Sequence, residues 1–130
     1  GWKLVGSNVD HFEKLIDGQV HSKARIKENK KGLIIDLGKR FKVSGFTYMP
    51  SQDKNTLNFI SNYKFYISKT PNNWGKAVLQ GEFSNIKNSP VLQTRKCTAQ
   101  EGRYIKFVPV KTIDNQKQSY ISEFTIQTEK

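Results

Sequence analysis

The sequence predicts an all-β domain, a sandwich or a barrel. Short segments rich in β-branched and aromatic residues alternate with turn residues, and hydrophobic residues make up 35% of the chain and aromatic residues 12%. Beyond a possible turn at 11–16, no segment keeps a helical periodicity. Strands at short intervals, separated by polar turns, are typical of all-β sandwiches and argue against an α/β fold.

The predicted strands follow from local patterns. The segment 32–37 ends at Gly38, and 43–49 ends at Pro50, both of which are turn signals. Ile60 to Ser68 alternates, so that Tyr63, Phe65 and Ile67 are expected to face the core. A turn at 69–73 follows. The further predicted strands are 77–83, 91–98, 103–110 and 121–128.

Length and composition predict one domain, 1–130, since 130 residues suffice for a single core. No apolar run is long enough to span a membrane, and none of signal-peptide type opens the chain. The first residue is Gly1 rather than Met, which favours a fragment excised from a larger protein. Cys97 has no partner for a disulfide and is expected to pack as a small apolar residue in the core.

The formal net charge is +11, and it is concentrated in the window 23–42. This basic window contains Lys23, Arg25, Lys27, Lys30, Lys31, Lys39, Arg40 and Lys42 against Glu28 and Asp36. Such a window can attract nucleic acid, an anionic polysaccharide or an anionic lipid surface. The alternative is that solvated lysines keep the domain soluble.

Catalytic motifs are absent from the sequence. His11 and His21 have no partners at zinc-ligand spacing, and there is no phosphate-binding loop or nucleophile elbow. The sequence therefore predicts a protein that is not an enzyme. One acidic constellation remains, because Asp17-Gly18 together with Ser122-Glu123 supplies oxygen ligands of the kind that Ca²⁺ prefers.

Several segments in order carry a resemblance to a known family. They are 32–38, 46–50, 62–75, 102–108 and 122–124. The chain resembles the discoidin, or coagulation factor V/VIII type C, domains and, within them, the family 32 carbohydrate-binding modules attached to bacterial glycoside hydrolases. This resemblance implies a β-sandwich of jelly-roll type with its binding loops at one end.

The resemblance also implies a structural calcium site, because Leu15-Ile-Asp-Gly18 matches the family's Ala-Ile-Asp-Gly loop. Transferred position by position, the ligands are Lys14 through its carbonyl, the Asp17 carboxylate, the Gln19 carbonyl, Ser22 through its carbonyl or hydroxyl, the Ser122 carbonyl and the Glu123 carboxylate.

The sugar site of the resembled family departs from its usual pattern here. Lys23-Ala-Arg25 stands for the usual aromatic-Trp-His, Ser51 for the usual arginine, and Gln118 for an aromatic. The candidate substitutes for ligand binding are Arg25, Gln52, Asp53, Asn55, Asn58, Phe59 and Tyr120. The alternative for Phe59 and Tyr120 is core packing. Trp74 is expected to pack in the core, and Trp2 to close the sandwich edge.

The function that the resemblance implies is that of a non-catalytic carbohydrate-binding module. It would target the catalytic domain of the same chain, a hexosaminidase- or fucosidase-like hydrolase, to galactose-, N-acetylhexosamine- or fucose-type glycans. The module is expected to be a bacterial monomer located outside the cell, on its surface or in the periplasm. Alternatives are a structural module without a sugar site and a binder of anionic polysaccharide through the basic window. Nucleic acid is not an expected partner, because the aromatics are expected in the core.

Overall fold

The computed structural model describes residues 2–15, 23–51, 59–83 and 91–129. In this part of the chain there are eight strands and a short 3₁₀ helix, Phe12–Leu15. The strands are β1 (Lys3–Leu4), β2 (Val9–Asp10), β3 (Ala24–Ile26), β4 (Leu33–Pro50), β5 (Ile60–Ser68), β6 (Leu79–Glu82), β7 (Gln93–Thr112) and β8 (Ser119–Glu129). No helix among these residues has the length and apolar character needed to cross a membrane.

Two long strands, β4 and β7, build a sandwich out of one hydrogen-bonded sheet. They pair with each other from Leu33 opposite Phe107 to Tyr48 opposite Gln93, and the register shifts between Asp36 and Phe41. Before this shift β4 lies between β1 and β7, and after it β4 lies between β8 and β7. One layer is therefore β1-β4-β7-β5-β6, and the other is β2-β3-β8-β4-β7. All pairs are antiparallel, as the predicted β-sandwich requires.

The strand boundaries differ from the sequence prediction at these two strands. The segments 32–37 and 43–49 fall, except for position 32, on the single strand β4, and 91–98 and 103–110 fall, except for positions 91–92, on β7. Gly38 at the end of the first segment has φ 89°, a conformation that favours glycine and bends the chain without ending its pairing. A turn signal in the sequence therefore marks a bend inside a strand here.

The core lies between the two layers and is largely aromatic. Phe46, which is fully buried, has its ring centroid 4.7–6.4 Å from five other rings, namely those of Tyr63, Phe65, Phe83, Phe107 and Phe124. The prediction for β5 is confirmed, since Tyr63, Phe65 and Ile67 are 4%, 0% and 4% exposed. Burying such rings removes a large apolar area from water and is the main stabilising contribution to this fold.

The predictions for the remaining core candidates have mixed outcomes. Trp2 and Cys97 are partly buried and pack against the core, and burial raises the pKa of the Cys97 thiol. The prediction for Trp74 is wrong. It is half-buried on the outer face of the sheet, with its ring 6.4 Å from that of Tyr66, because alternation along β5 directs Tyr66 away from the core.

A bidentate ion pair between Arg103 and Asp36 stabilises the bend in β4. Arg103 donates from Nε to Asp36 Oδ1 at 2.8 Å and from Nη2 to Asp36 Oδ2 at 3.1 Å, and the Gly38 amide also donates to Oδ1 at 2.8 Å. These bonds favour the ionised carboxylate, and the Arg103 guanidinium is the main cause that lowers the pKa of Asp36. The ion pair thus joins β7 to the turn where β4 changes layers.

Candidate functional site

The candidate site lies where β3 and β8 begin and β4 ends. Ile121 of β8 is opposite Ala24 on one side and opposite Pro50 on the other. The start of β3 and the end of β4 therefore lie on either side of β8. Two of the predicted binding residues, Arg25 of β3 and Tyr120 of β8, lie in this part of the sheet.

Three side chains form a row across β2, β3 and β8. Asp10 is opposite Arg25, and Arg25 is opposite Tyr120. Their chain neighbours Val9 and Ala24 are buried, so strand alternation places the row on the outer face of the sheet. Arg25 and Tyr120, both predicted from the sequence as binding residues, are thus adjacent and half-exposed.

Asp10 forms ion pairs with Arg25 of this row and with Lys27 beside it. Its Oδ2 lies 2.6 Å from Arg25 Nη2, and its Oδ1 lies 3.3 Å from Lys27 Nζ. The hydrogen bond from Arg25 is the main cause that lowers the pKa of Asp10, and the same bond raises the pKa of Arg25. Sequence reasoning missed Asp10, because a two-residue strand gives no periodic signal. Asp10 lies beside Arg25 because β2 pairs with β3.

The Tyr120 ring borders a shallow cleft of about 280 Å³ that Asp10, His11, Lys23, Ala24 and Arg25 also line. Lys23 Nζ lies 4.8 Å from the centroid of the Tyr120 ring, so one face of the ring carries a cation. An aromatic ring beside oriented charged donors is a combination that can bind a sugar, whose ring packs on the apolar surface and whose hydroxyls accept and donate hydrogen bonds.

The other predicted binding residues divide into two groups. Phe59 is 7% exposed and belongs to the core, so the packing alternative holds for it and its ring has little surface for a ligand. Ser51, which occupies the position of the family's arginine, is 2% exposed. Gln52, Asp53, Asn55 and Asn58 lie outside the described residues, and their predicted roles stay predictions.

Half of the predicted calcium ligands are described. Lys14 lies in the 3₁₀ helix, which packs against β3 and β8, and its amide donates to the His11 carbonyl at 2.9 Å. The register between β4 and β8 shifts at Met49/Pro50, so that both Ile121 and Ser122 are buried and Glu123 is half-buried. The remaining ligands, Asp17, Gln19 and Ser22, lie outside the described residues. Within those residues, no three His, Cys, Asp or Glu side chains group as a metal site would require.

The basic window does not form one continuous face. Its first part lies on β3 and in the loop 27–32, whereas Lys39 and Arg40 lie at the bend of β4. The β4 segment from Leu33 to the bend separates the two parts by about 20 Å along the strand. At the bend, Arg40 Nη1 lies 3.7 Å from Glu101 Oε1 and Lys39 Nζ lies 5.3 Å from the Phe41 ring centroid.

Fold and site together define a small β-sandwich of the discoidin class. The model of the F5/8 type C domain family matches residues 5–124, and the chain therefore belongs to the F5/8 type C domain family. No curated protein is significantly similar to this sequence.

Solved structures of the same fold include carbohydrate-binding modules. CBM32-3 of a family 31 glycoside hydrolase from Clostridium perfringens superposes with a TM-score of 0.80 at 18% identity, covering 98% of this chain and 91% of that chain. A CBM32 domain of Clostridium perfringens solved with GalNAc-β-1,3-galactose gives a TM-score of 0.75 at 20% identity, covering 96% and 94%. The CBM32 of AlyQ, solved with 4,5-unsaturated mannuronic acid, gives a TM-score of 0.72 at 21% identity, covering 98% of this chain and 93% of that chain.

Proposed function

We propose that this domain is a non-catalytic carbohydrate-binding module whose sugar site includes Arg25 and Tyr120. The observation that carries the proposal is their adjacency on the outer face of the sheet, with Asp10 fixing the guanidinium 2.6 Å away. A preorganised donor beside an aromatic ring binds a sugar at a low entropic cost. The structural neighbours solved with GalNAc-β-1,3-galactose and with unsaturated mannuronic acid support the ligand class.

Replacing Tyr120 with Ala is expected to weaken sugar binding by roughly tenfold or more, because the ring face is lost. The measurement is a glycan array followed by titration calorimetry with the best galactose-, N-acetylhexosamine- or fucose-terminated glycan. Tyr104→Ala is the matched control, since Tyr104 is a half-exposed tyrosine in the other layer, opposite Asp36 and Ser68.

The outcomes of this experiment are distinct. A loss confined to Tyr120→Ala places the sugar on this row. Equal losses in both variants, or none in either, would remove the row from the proposed site. If the unmodified domain binds no glycan on the array, the result would instead favour a module that only packs against a neighbouring domain. The exposed side chains of Val91 and Leu92, 55% and 46% exposed, offer a contact for such packing.

We also propose that the domain holds a structural calcium ion. Lys14, Asp17, Gln19, Ser22, Ser122 and Glu123 would supply the oxygens. The described part of this set fits such an ion, because the 3₁₀ helix that contains Lys14 packs against β8, which contains Ser122 and Glu123. When bound, calcium would link these elements by carboxylate and carbonyl coordination.

Calcium in excess is expected to raise the midpoint of thermal unfolding by several degrees, since an ion that binds only the folded state stabilises it. Glu123→Gln is expected to abolish this increase, and Glu101→Gln, which changes a half-exposed glutamate at the bend, is expected to retain it. The measurement is thermal unfolding with calcium and with chelator. An unchanged midpoint in the unmodified domain would contradict the calcium site.

The domain would act by targeting. Weak binding to a glycan raises the local concentration of a tethered glycoside hydrolase, such as a hexosaminidase or fucosidase, at its substrate. This role would require a bacterial protein that acts outside the cell, on its surface or in the periplasm. The full open reading frame tests both points, because a hydrolase domain and an export signal in the same polypeptide are expected, and another class of catalytic domain would contradict the proposal.

A further inference from the structure

We propose that a second surface of this domain, a lysine groove beside the loop 27–32, binds an acidic polysaccharide that carries carboxylate or sulfate groups. The groove has a volume of about 650 Å³, and its walls include Lys27, Lys30, Lys31 and Lys106, with Glu28 as the acidic neighbour. The inference takes its ligand class, glycans, from the proposed function, but it uses none of the ring surface of Tyr120.

The groove has a surplus of positive charge. Lys31 Nζ lies 2.8 Å from Glu28 Oε2, and Lys27 Nζ lies 3.3 Å from Asp10 Oδ1. Within the described residues, Lys30 and Lys106 form no ion pair with a carboxylate. Two ammonium groups are thus available to an anionic ligand, and the neighbouring Lys31–Glu28 pair is exposed enough to exchange partners.

Side-chain hydrogen bonds from the rest of the domain tie down the lysine-bearing loop. The Asn8 side chain donates to the carbonyls of Glu28 at 2.8 Å and Gly32 at 2.9 Å, and it accepts from the Glu28 amide at 3.0 Å. Asn29, which is 8% exposed, accepts a hydrogen bond from Ser119 Oγ at 2.8 Å. Binding would therefore not need to order the loop backbone, which lowers its entropic cost.

Lys106 connects the groove to an aromatic surface. It lies on β7 between Ile34 of β4 and Tyr66 of β5, and its Nζ is 4.8 Å from the ring centroid of Tyr66 and 5.2 Å from that of Trp74. Burial against these groups lowers the pKa of Lys106, because the ammonium loses part of its hydration. A poorly hydrated cation gains more from an anionic partner than a fully solvated one does.

The lysines of the groove and the aromatic rings beside them together favour an acidic glycan over a simple anion as the ligand. Ammonium groups along a groove suit anionic groups repeated along a chain, and the Trp74 and Tyr66 rings on the adjoining sheet face offer apolar surface for a pyranose ring. A uronate polymer and a sulfated polymer share this chemistry. Nucleic acid, a different polyanion, is separated from them by experiment.

The test uses polygalacturonate, a sulfated dextran and single-stranded DNA as probes, with affinity measured by calorimetry at low and moderate salt. The double variant Lys30→Gln/Lys106→Gln is expected to bind the acidic polysaccharide roughly tenfold more weakly at low salt. The matched control, Lys39→Gln/Lys42→Gln, removes the same charge at the bend of β4 and is expected to stay within about twofold. Comparing the two sugar probes shows whether carboxylate or sulfate is preferred.

Three results would overturn the inference. Equal losses in both double variants would show diffuse attraction to the net charge rather than a groove. Unchanged affinity in Lys30→Gln/Lys106→Gln would exclude the groove. DNA binding that is as tight as polysaccharide binding, and equally sensitive to this variant, would show that the groove binds polyanions in general and not acidic polysaccharides in particular. Because Tyr120→Ala tests the other surface with neutral glycans, failure of either proposal leaves the other standing.

Discussion

Phe46→Ala is expected to lower the free energy of unfolding by about 3–5 kcal/mol, the usual range for a buried phenylalanine. Phe46 is fully buried on β4, and its ring contacts Phe124 of its own layer as well as Phe65 and Phe107 of the other. Alanine would remove contacts from both layers at once and leave a cavity that five rigid rings cannot close easily. Against a typical total of about 5–15 kcal/mol, such a loss threatens folding itself.

The measurement is urea unfolding of the unmodified domain and of each variant, followed by fluorescence. Phe41→Ala is the matched control, because Phe41 also lies on β4 but is only partly buried at the bend. It is expected to cost less than half as much. Equal costs at the two positions would mean that the aromatic cluster does not dominate stability, and Phe46→Leu, which retains more volume, keeps the comparison measurable if the alanine variant does not fold.

The sequence predicted the elements whose signal is local. Ile60 to Ser68 alternates regularly, and the structure places Tyr63, Phe65 and Ile67 inside because a pleated strand must send alternate residues to opposite faces. The family resemblance supplied what alternation cannot, namely that the strands form a discoidin-type sandwich. The resemblance also gave Arg25 and Tyr120 as candidates for one binding site, and the pairing of β3 with β8 makes them neighbours although they are far apart in the sequence.

Features that depend on pairing between distant segments were not predictable. Asp10 belongs to the site only because β2 pairs with β3, and Lys106 joins the groove only because β7 crosses beside β4. Trp74 was expected in the core because the resembled family packs a structural tryptophan against the sandwich after this strand, yet here Trp74 lies beside Tyr66 on the outer face. For Asp10 and Lys106 the deciding fact is a register between strands, which composition and spacing do not contain.

The two proposed surfaces meet at one residue. Asp10 pairs with Arg25 of the row and with Lys27 at the groove, so a single carboxylate fixes cations on both. Neutral glycans on the row and acidic glycans in the groove would therefore bind side by side. A polysaccharide that carries both neutral and acidic sugars would engage the two sites at once and gain avidity without any tighter single contact.

Gly45→Ala is expected to be as damaging as the loss of a core aromatic, for a backbone reason. Gly45 has φ 150°, a conformation that residues with a side chain rarely adopt, and it lies where β4 shifts register against both β7 and β8. A Cβ atom there would stand 2.2 Å from the Arg95 carbonyl oxygen and 3.0 Å from Lys96 Cα. Since both obstacles are backbone atoms of a paired strand, neither can move aside without breaking the β4–β7 ladder.

The expected cost is roughly 3–5 kcal/mol, from backbone strain and overpacking together. Gly75→Ala is the control, because Gly75 has φ 63° but open space around its Cβ position, so only strain of about 1 kcal/mol is expected there. Urea unfolding of both variants separates the two causes. Similar small losses would show that β4 relaxes at its bulge, and the close approach of β7 would then not be what requires glycine at position 45.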